Sequence, residues 1–239
     1  MHKKILVLQF RTDKSLAHER EVLMRITGLK STNFKFINLL DKKASLPISL
    51  NNFSAMILGG SGEFNISNWP RDVEAQVMRI KPLILEAIKN DFPTLGICFG
   101  HQLIAEILGG KVTADEKQAE SGTVEIIQSN LGKKSKLFQN MPEKFYVVAG
   151  HKDSVTRKPK LAKTFAFSKA CKYQAFQYKK NIFTIQSHPE LNKAGLLWRL
   201  SFYPSYTKVR SLEDIKNEYH EIPHAKKIIQ NFMALVEEV

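Results

Sequence analysis

The sequence predicts an α/β fold, a mostly parallel sheet flanked by helices. Three observations lead there. Lys4–Phe10 is a nearly continuous apolar run, as expected of a strand buried on both faces. Strand-like and helix-like stretches then alternate through the N-terminal half, the order that builds parallel sheets. Two of the strand-like stretches end in glycine-containing turns, Gly59-Gly60-Ser61-Gly62 and Gly96-Ile97-Cys98-Phe99-Gly100. In such sheets ligands bind beyond the carboxyl ends of the strands, so both turns belong at one functional edge.

Each element has a local reason. Ser15–Gly28 reads as a helix, with Leu16, Val22, Leu23 and Ile26 apolar and Gly28 as the stop. Phe34–Leu39 is a second strand, and the polar Asp41–Asn52, containing Pro47, is a connection. Ala55–Leu58 is a third strand feeding the Gly59–Gly62 loop. Pro70–Lys89 is helical, with Pro70 suited to a first turn and Pro82 expected to bend or split it. Thr94–Ile97 is a fourth strand; Leu103, Ile104, Ile107 and Leu108 then recur at helical spacing until Gly109-Gly110.

The C-terminal half reads differently. Gly122–Gln128 and Phe145–Ala149 are strands with a short helix at Ser135–Gln139 between them. Thr164–Phe167, Tyr173–Gln177 and Ile182–Ile185 form a short meander, turning at Lys179-Lys180-Asn181. This is an additional antiparallel strand group. Helices follow at Lys193–Phe202, Leu212–Tyr219 and His224–Glu238, the last with Ile228, Ile229, Phe232, Leu235 and Val236 on one face. With no repeat, low-complexity tract or linker, residues 1–239 are expected to form a single domain.

Composition sets limits. At 43% hydrophobic and 25% charged residues, the 239-residue chain is ordinary for a globular protein and ample for a core. No stretch is long and apolar enough to span a bilayer. The run from Met1 to Phe10 is too short for a signal peptide and is interrupted by Gln9. Two cysteines, Cys98 and Cys171, give neither a disulfide framework nor zinc-ligand spacing, so a cytoplasmic location without a metal is the default. The formal charge of +13 raises nucleic acid as a partner. Its lysines are scattered, however, and no nucleic-acid module is present, so a solvated basic surface is the better reading.

Cys98 lies between glycines, after a strand and before a helix. That is the arrangement of a nucleophile elbow, and the N–H groups of a helix start favour negative charge on the sulfur. A buried structural cysteine fits the same stretch. A nucleophilic cysteine needs a base, and the base an orienting carboxylate. His188 and Glu190 bracket Pro189 and follow an apolar strand, so both side chains can point the same way at the same edge. His-Pro-Glu alone would also suit a surface loop. An oxyanion hole could come from the backbone N–H groups of Phe99 and Gly60, although Gly59-Gly60 by itself reads as a plain turn.

Together, Gly96-Ile97-Cys98-Phe99-Gly100-His101-Gln102, Gly150-His151-Lys152-Asp153-Ser154-Val155 and Ser187-His188-Pro189-Glu190 resemble the class I, triad-type glutamine amidotransferases, with the Gly59-Gly60 loop before them. The resemblance covers nearly the whole chain and is nearest to the amidotransferase domain of GMP synthase. It implies a three-layer, flavodoxin-like fold. It makes Cys98 the nucleophile, His188 the general base and acid, and Glu190 the orienting carboxylate. It places Gly59, Gln102, Gly150, His151, Lys152 and Asp153 around the substrate. Glu120 and Gly122 match a Glu-x-Gly element near the site. Ser61 and Lys152 depart from the family, where many members carry proline and glycine. The implied reaction releases ammonia and glutamate from glutamine through a γ-glutamyl thioester, without a cofactor. No ATP-pyrophosphatase phosphate loop is found in the sequence, which leaves the acceptor reaction to a separate synthetase subunit. A free-standing γ-glutamyl peptidase is the alternative, and an idle binding module a third reading.

Overall fold

A computed structural model describes residues 4–62, 64–203 and 211–238. Met1 to Lys3 of the N-terminal run lie outside the described residues. In chain order the elements are β1 (Lys4–Phe10), α1 (Ser15–Thr27), β2 (Phe34–Asn38), β3 (Phe53–Ser61), α2 (Arg71–Met78), α3 (Lys81–Asn90), β4 (Thr94–Ile97) and α4 (Phe99–Ile107). They continue as β5 (Lys111–Ala114), β6 (Glu120–Gln128), β7 (Lys144–His151), β8 (Asp153–Arg157), β9 (Lys163–Phe167), β10 (Ala175–Tyr178) and β11 (Ile182–Ile185). The chain closes with α5 (Lys193–Leu200), α6 (Leu212–Asn217) and α7 (Lys227–Glu237).

Among the described residues, the main sheet runs in the order β2-β1-β3-β4-β11-β10-β9-β6-β7. From β2 to β11 every neighbour is parallel. From β11 to β7 every neighbour is antiparallel. The α/β class expected from the sequence is therefore present, and the antiparallel group extends the same sheet. β5 and β8 pair apart from it.

Alternation along β1 shows how the sheet is buried. Ile5 and Val7 face a core shared with Leu23 of α1 and Ile228 and Phe232 of α7. Leu6 and Leu8 face a second core with Ile84 of α3 and Leu103 and Ile104 of α4. Successive strand side chains point to opposite faces, so an unbroken apolar run requires cover on both. At roughly 25 cal/mol per Å² of apolar area, these two layers dominate the stabilisation of the fold.

Several boundaries differ from the sequence reading for identifiable reasons. β3 continues through Gly59, Gly60 and Ser61, because Phe10 at the end of β1 still pairs with Ser61. The Pro70–Lys89 stretch is split into α2 and α3, with Pro82 in the first turn of the second helix, where its missing N–H costs nothing. The Ser135–Gln139 helix is a 3-10 turn at Lys136–Phe138, capped by the Ser135 hydroxyl. β5 and β8 have no counterpart in the sequence reading; both are short, and β8 begins on the Asp153-Ser154-Val155 end of a motif. No helix among the described residues is long and apolar enough to cross a membrane.

Candidate active site

Cys98 follows β4 directly and precedes α4. Its N–H donates to Ile185 O at 2.8 Å, carrying the β4–β11 ladder one residue past the strand. Its C=O accepts the Gln102 N–H at 3.1 Å and so opens α4. Serving as the end of a strand and the start of a helix forces φ to 51° and ψ to −101°. Such a backbone costs a non-glycine residue about 1–3 kcal/mol and is held by its surroundings. α4 lies tightly on β3: a Cβ on Gly100 would collide with Leu58 O. Glycine at this position lets the helix start lie at the sheet edge.

His188 arrives from β11. Its N–H donates to Val148 O of β7 at 2.7 Å, which pins the segment across the sheet edge. The imidazole Nδ1 lies 2.8 Å from Glu190 Oε1. Arg199 of α5 donates from Nη1 to the same oxygen at 2.9 Å. The three side chains are buried. Cys98 lies close by: a Cβ on Gly60 would touch both the imidazole and the Cys98 Cβ. Burial alone would lower the His188 pKa, but Glu190 and Cys98 outweigh it and raise it to about 9. Burial would raise the Glu190 carboxyl, but His188 and Arg199 hold it below the usual carboxylate range. The pair therefore sits as imidazolium and carboxylate at neutral pH.

The sulfur has further neighbours. Gln186 Nε2 lies 3.7 Å from Cys98 Sγ, and Gly150 O lies 3.9 Å from it. Gly60 faces the pair directly: a Cβ there would be 2.7 Å from His188 Cε1 and 3.6 Å from Cys98 Cβ. The β3–β4 register ends at Leu58–Gly96, so the Gly59–Ser61 backbone runs on past the cysteine turn. The Phe99 N–H belongs to the first turn of α4, where helix N–H groups lack intrahelical partners. The Phe99 ring is buried against Phe10, Phe64 and Trp69.

Residues 38–194 match the glutamine amidotransferase class-I family. The chain belongs to that family. A glutamine-hydrolyzing GMP synthase subunit from Methanococcus vannielii is 38% identical over 107 residues, covering 44% of this chain and 54% of that protein. The chain thus spans about half the length of that relative. Gamma-glutamyl peptidase 4 from Arabidopsis thaliana is 25% identical over 200 residues, covering 80% of this chain and 77% of that one. A glutamine amidotransferase from Thermotoga maritima superposes with a TM-score of 0.78 at 21% identity, over 100% of both chains, which shows a shared fold.

The remaining amidotransferase motif residues fall into two groups. Gly150, His151, Lys152 and Asp153 lie where β7 passes into β8, with Gly150 next to the sulfur. Lys152 is half-buried there. The Asp153 carboxylate is used by the protein: Ser67 donates to it from N at 2.7 Å and from Oγ at 2.6 Å, tying down the loop after β3. The Gln102 amide donates to Asp153 O at 2.8 Å and Gln186 Oε1 at 3.1 Å, so it links α4 to the start of β8 and to Gln186 beside the sulfur. His101 bonds Thr184 at 2.8 Å, and burial with His151 nearby lowers it to about 3, so it is neutral.

A second group lies farther out. Glu120, His151 and Cys171 place their ligand-type atoms within 4.8 Å of one another, the one such metal-competent set among the described residues. Glu120 is already bonded to His151 at 3.1 Å, to Ser168 at 2.6 Å and to Gln174. Burial and Glu120 raise the Cys171 thiol to about 12. A protonated thiol in a satisfied network is a brace and a poor metal ligand.

Sequence reasoning missed Arg11, Arg199, Gln186 and Tyr203. Arg11 and Arg199 are buried charges at 2% and 4% exposure, although arginine is read from sequence as a surface residue. The one available signal was Arg11 directly after an otherwise apolar strand.

Proposed function

We propose that the protein hydrolyses γ-glutamyl amides with Cys98 as nucleophile. The observation that carries this reading is Cys98 held at positive φ against His188, with Glu190 at 2.8 Å from the far imidazole nitrogen. Family membership supplies the reaction class, and the geometry is consistent with its chemistry.

The steps balance with these groups alone. Cys98 Sγ attacks the δ-carbon of the γ-glutamyl amide, and the carbonyl π electrons move to oxygen. The Phe99 and Gly60 N–H groups hold the oxyanion, each contributing ~3 kcal/mol in comparable sites. The oxyanion collapses, the C–N bond breaks, and His188 gives its proton to the leaving nitrogen. Water then attacks the γ-glutamyl thioester while His188 takes a proton from it. The C–S bond breaks and glutamate leaves. Glu190, fixed by Arg199, keeps the imidazole oriented through both proton transfers. Gly59, Gln102 and Gly150 to Asp153 frame the γ-glutamyl moiety.

Glutamine is the simplest substrate. On that reading ammonia passes to a separate synthetase subunit, in keeping with the GMP synthase relatives that are themselves named as one subunit of an enzyme. The γ-glutamyl peptidase reading is favoured by a different observation: the match to the Arabidopsis peptidase covers 80% of this chain, against 44% for the Methanococcus vannielii protein. Glutamate release from glutamine and from γ-glutamyl dipeptides, with Cys98→Ala as control, tests both. Absence of Cys98-dependent release from every substrate would sink the hydrolase reading.

A further inference from the structure

A cavity of about 40 Å³ borders His188 and Gly150. Arg11, Ser61, Arg199 and Tyr203 form its polar walls. The Tyr203 ring closes one side, lying so near Gly62 that a Cβ there would run into Cζ. Arg11 is anchored by Glu19 at 3.3 Å and Ser15 at 3.0 Å. Arg199 spends Nη1 on Glu190, but its Nε and Nη2 are buried without an acceptor. The Ser61 hydroxyl is likewise buried without a partner. Buried donors cost about 1–3 kcal/mol each when unsatisfied, and more when charged. An anion beside them would relieve that cost, and the planar guanidinium fork matches a carboxylate.

The position of the cavity says which carboxylate. His188 must protonate the leaving nitrogen. In an α-amino acid the carboxyl carbon lies about 2.5 Å from that nitrogen, by standard bond lengths and angles. A leaving amino acid therefore carries its carboxylate next to the imidazole, where the arginines stand. Ammonia carries nothing there. The volume is about three times what one water needs, which admits a carboxylate and excludes a large side chain.

We propose that Arg11, Ser61 and Arg199 form a carboxylate subsite for the leaving group, making γ-glutamyl amino acids with a free α-carboxylate the preferred substrates over glutamine. This rests on the γ-glutamyl hydrolase reading above. Arg199 then has two tasks, orienting Glu190 and holding the leaving carboxylate. The Ser61 hydroxyl, buried without a partner, gains an acceptor.

The test compares kcat/KM of the full chain for γ-glutamylglycine, γ-glutamylglycinamide and glutamine, by glutamate release. The free carboxylate should be preferred over its amide by about 10-fold or more, the range for hydrogen bonds to charged groups. Ser61→Ala and Arg11→Gln should narrow that gap, chiefly through KM for γ-glutamylglycine. Should Arg11→Gln fail to fold, Ser61→Ala and the wild-type comparison still decide. Cys98-dependent release at equal efficiency from dipeptide and amide overturns the subsite and leaves the hydrolase reading standing. So do variants that slow dipeptide and amide equally, since the bound anion would then be the glutamyl α-carboxylate. No release from any of the three overturns the hydrolase reading and the subsite with it.

Discussion

Among the described residues stand two Cys-His-Glu groups, and they are built for different ends. Cys98, His188 and Glu190 meet at the carboxyl edge of the parallel strands. Cys171, His151 and Glu120 meet beside the β6–β7 hairpin. Both cysteines are free and buried. The first difference lies in the imidazole. His188 gives Nδ1 to Glu190, which leaves its other nitrogen for the reaction beside Cys98. His151 has both nitrogens engaged elsewhere, Nε2 with Glu120 at 3.1 Å and Nδ1 with Asp153 O at 3.0 Å. The second lies in the backbone. Cys98 sits at positive φ on a strand-to-helix turn, and Cys171 does not. The third lies in the carboxylate. Glu190 is fixed by a buried arginine, whereas Glu120 is shared among His151, the Ser168 hydroxyl and the Gln174 amide. The same three residue types thus make an ion pair against a sulfur in one place and a brace in the other. Reactivity follows from which nitrogen is left over.

The comparison breaks most decisively at the sulfurs. Cys98→Ala should reduce glutamate release by on the order of 10⁴-fold or more, as loss of a nucleophile does in triad hydrolases. Release that survives in Cys98→Ala would move the chemistry elsewhere. In the intact protein, a glutamine-analogue electrophile should alkylate Cys98 well before Cys171, whose thiol is pushed up to about 12. Peptide mapping after partial labelling reads this directly, and equal labelling would erase the distinction between the two sulfurs.

The carboxylates separate the groups next. Glu190→Gln should lower kcat/KM by about 10²- to 10⁴-fold, as loss of a triad carboxylate does. It should also change the pH profile. His188 is raised from 6.5 to about 9, so its ion pair contributes stability that is full below pH 6.5 and lost as pH rises through 9. Wild type should accordingly show an alkaline fall in melting temperature across that window. In Glu190→Gln the imidazole loses its partner, and that fall should shrink. The alkaline limb of kcat/KM, which reports the proton His188 must donate, should move to lower pH. A limb that stays in place would mean another group holds the proton. Gly60→Ala probes the same corner from the backbone. Its Cβ would press on His188 Cε1, so a loss of about 10²-fold in kcat is expected.

Much of this was legible in the sequence, and the two cysteine groups mark where legibility ends. The strand before Cys98, the glycines around it and the Pro82 break each follow from local rules, and they appear where expected. His188 and Glu190 are neighbours in sequence, so their pairing could be read from two positions. Their side chains meet as read, Nδ1 on Oε1 at 2.8 Å. The Glu120–His151–Cys171 group could not be read, because its members are brought together only by the β6–β7 pairing and the Ser168–Cys171 turn. The buried arginines escaped for a related reason. The sequence marks Lys193–Phe202 only as a helix, and nothing in it pairs Arg199 with Glu190, the contact that buries its charge. Register along the antiparallel edge and the β5–β8 pair were likewise invisible, since each rests on contacts between distant stretches.

Cys171→Ala gives the smallest effect and is the sharpest control. The residue is fully buried, and its N–H and C=O both bond Ser168 through the backbone or hydroxyl. Those bonds survive the substitution; only the sulfur's packing and its place beside Glu120 are lost. A cost of about 1–2 kcal/mol in unfolding free energy is expected, the usual range for a buried truncation of this size. kcat/KM for any γ-glutamyl substrate should stay within about two-fold of wild type, because no step of the reaction passes through this sulfur. Chemical denaturation and steady-state kinetics on the same preparation check both halves. A large loss of kcat with little loss of stability would show that the second Cys-His-Glu group reaches the reaction through His151 and the Gly150–Asp153 backbone. Catalyst and brace would then be one connected site.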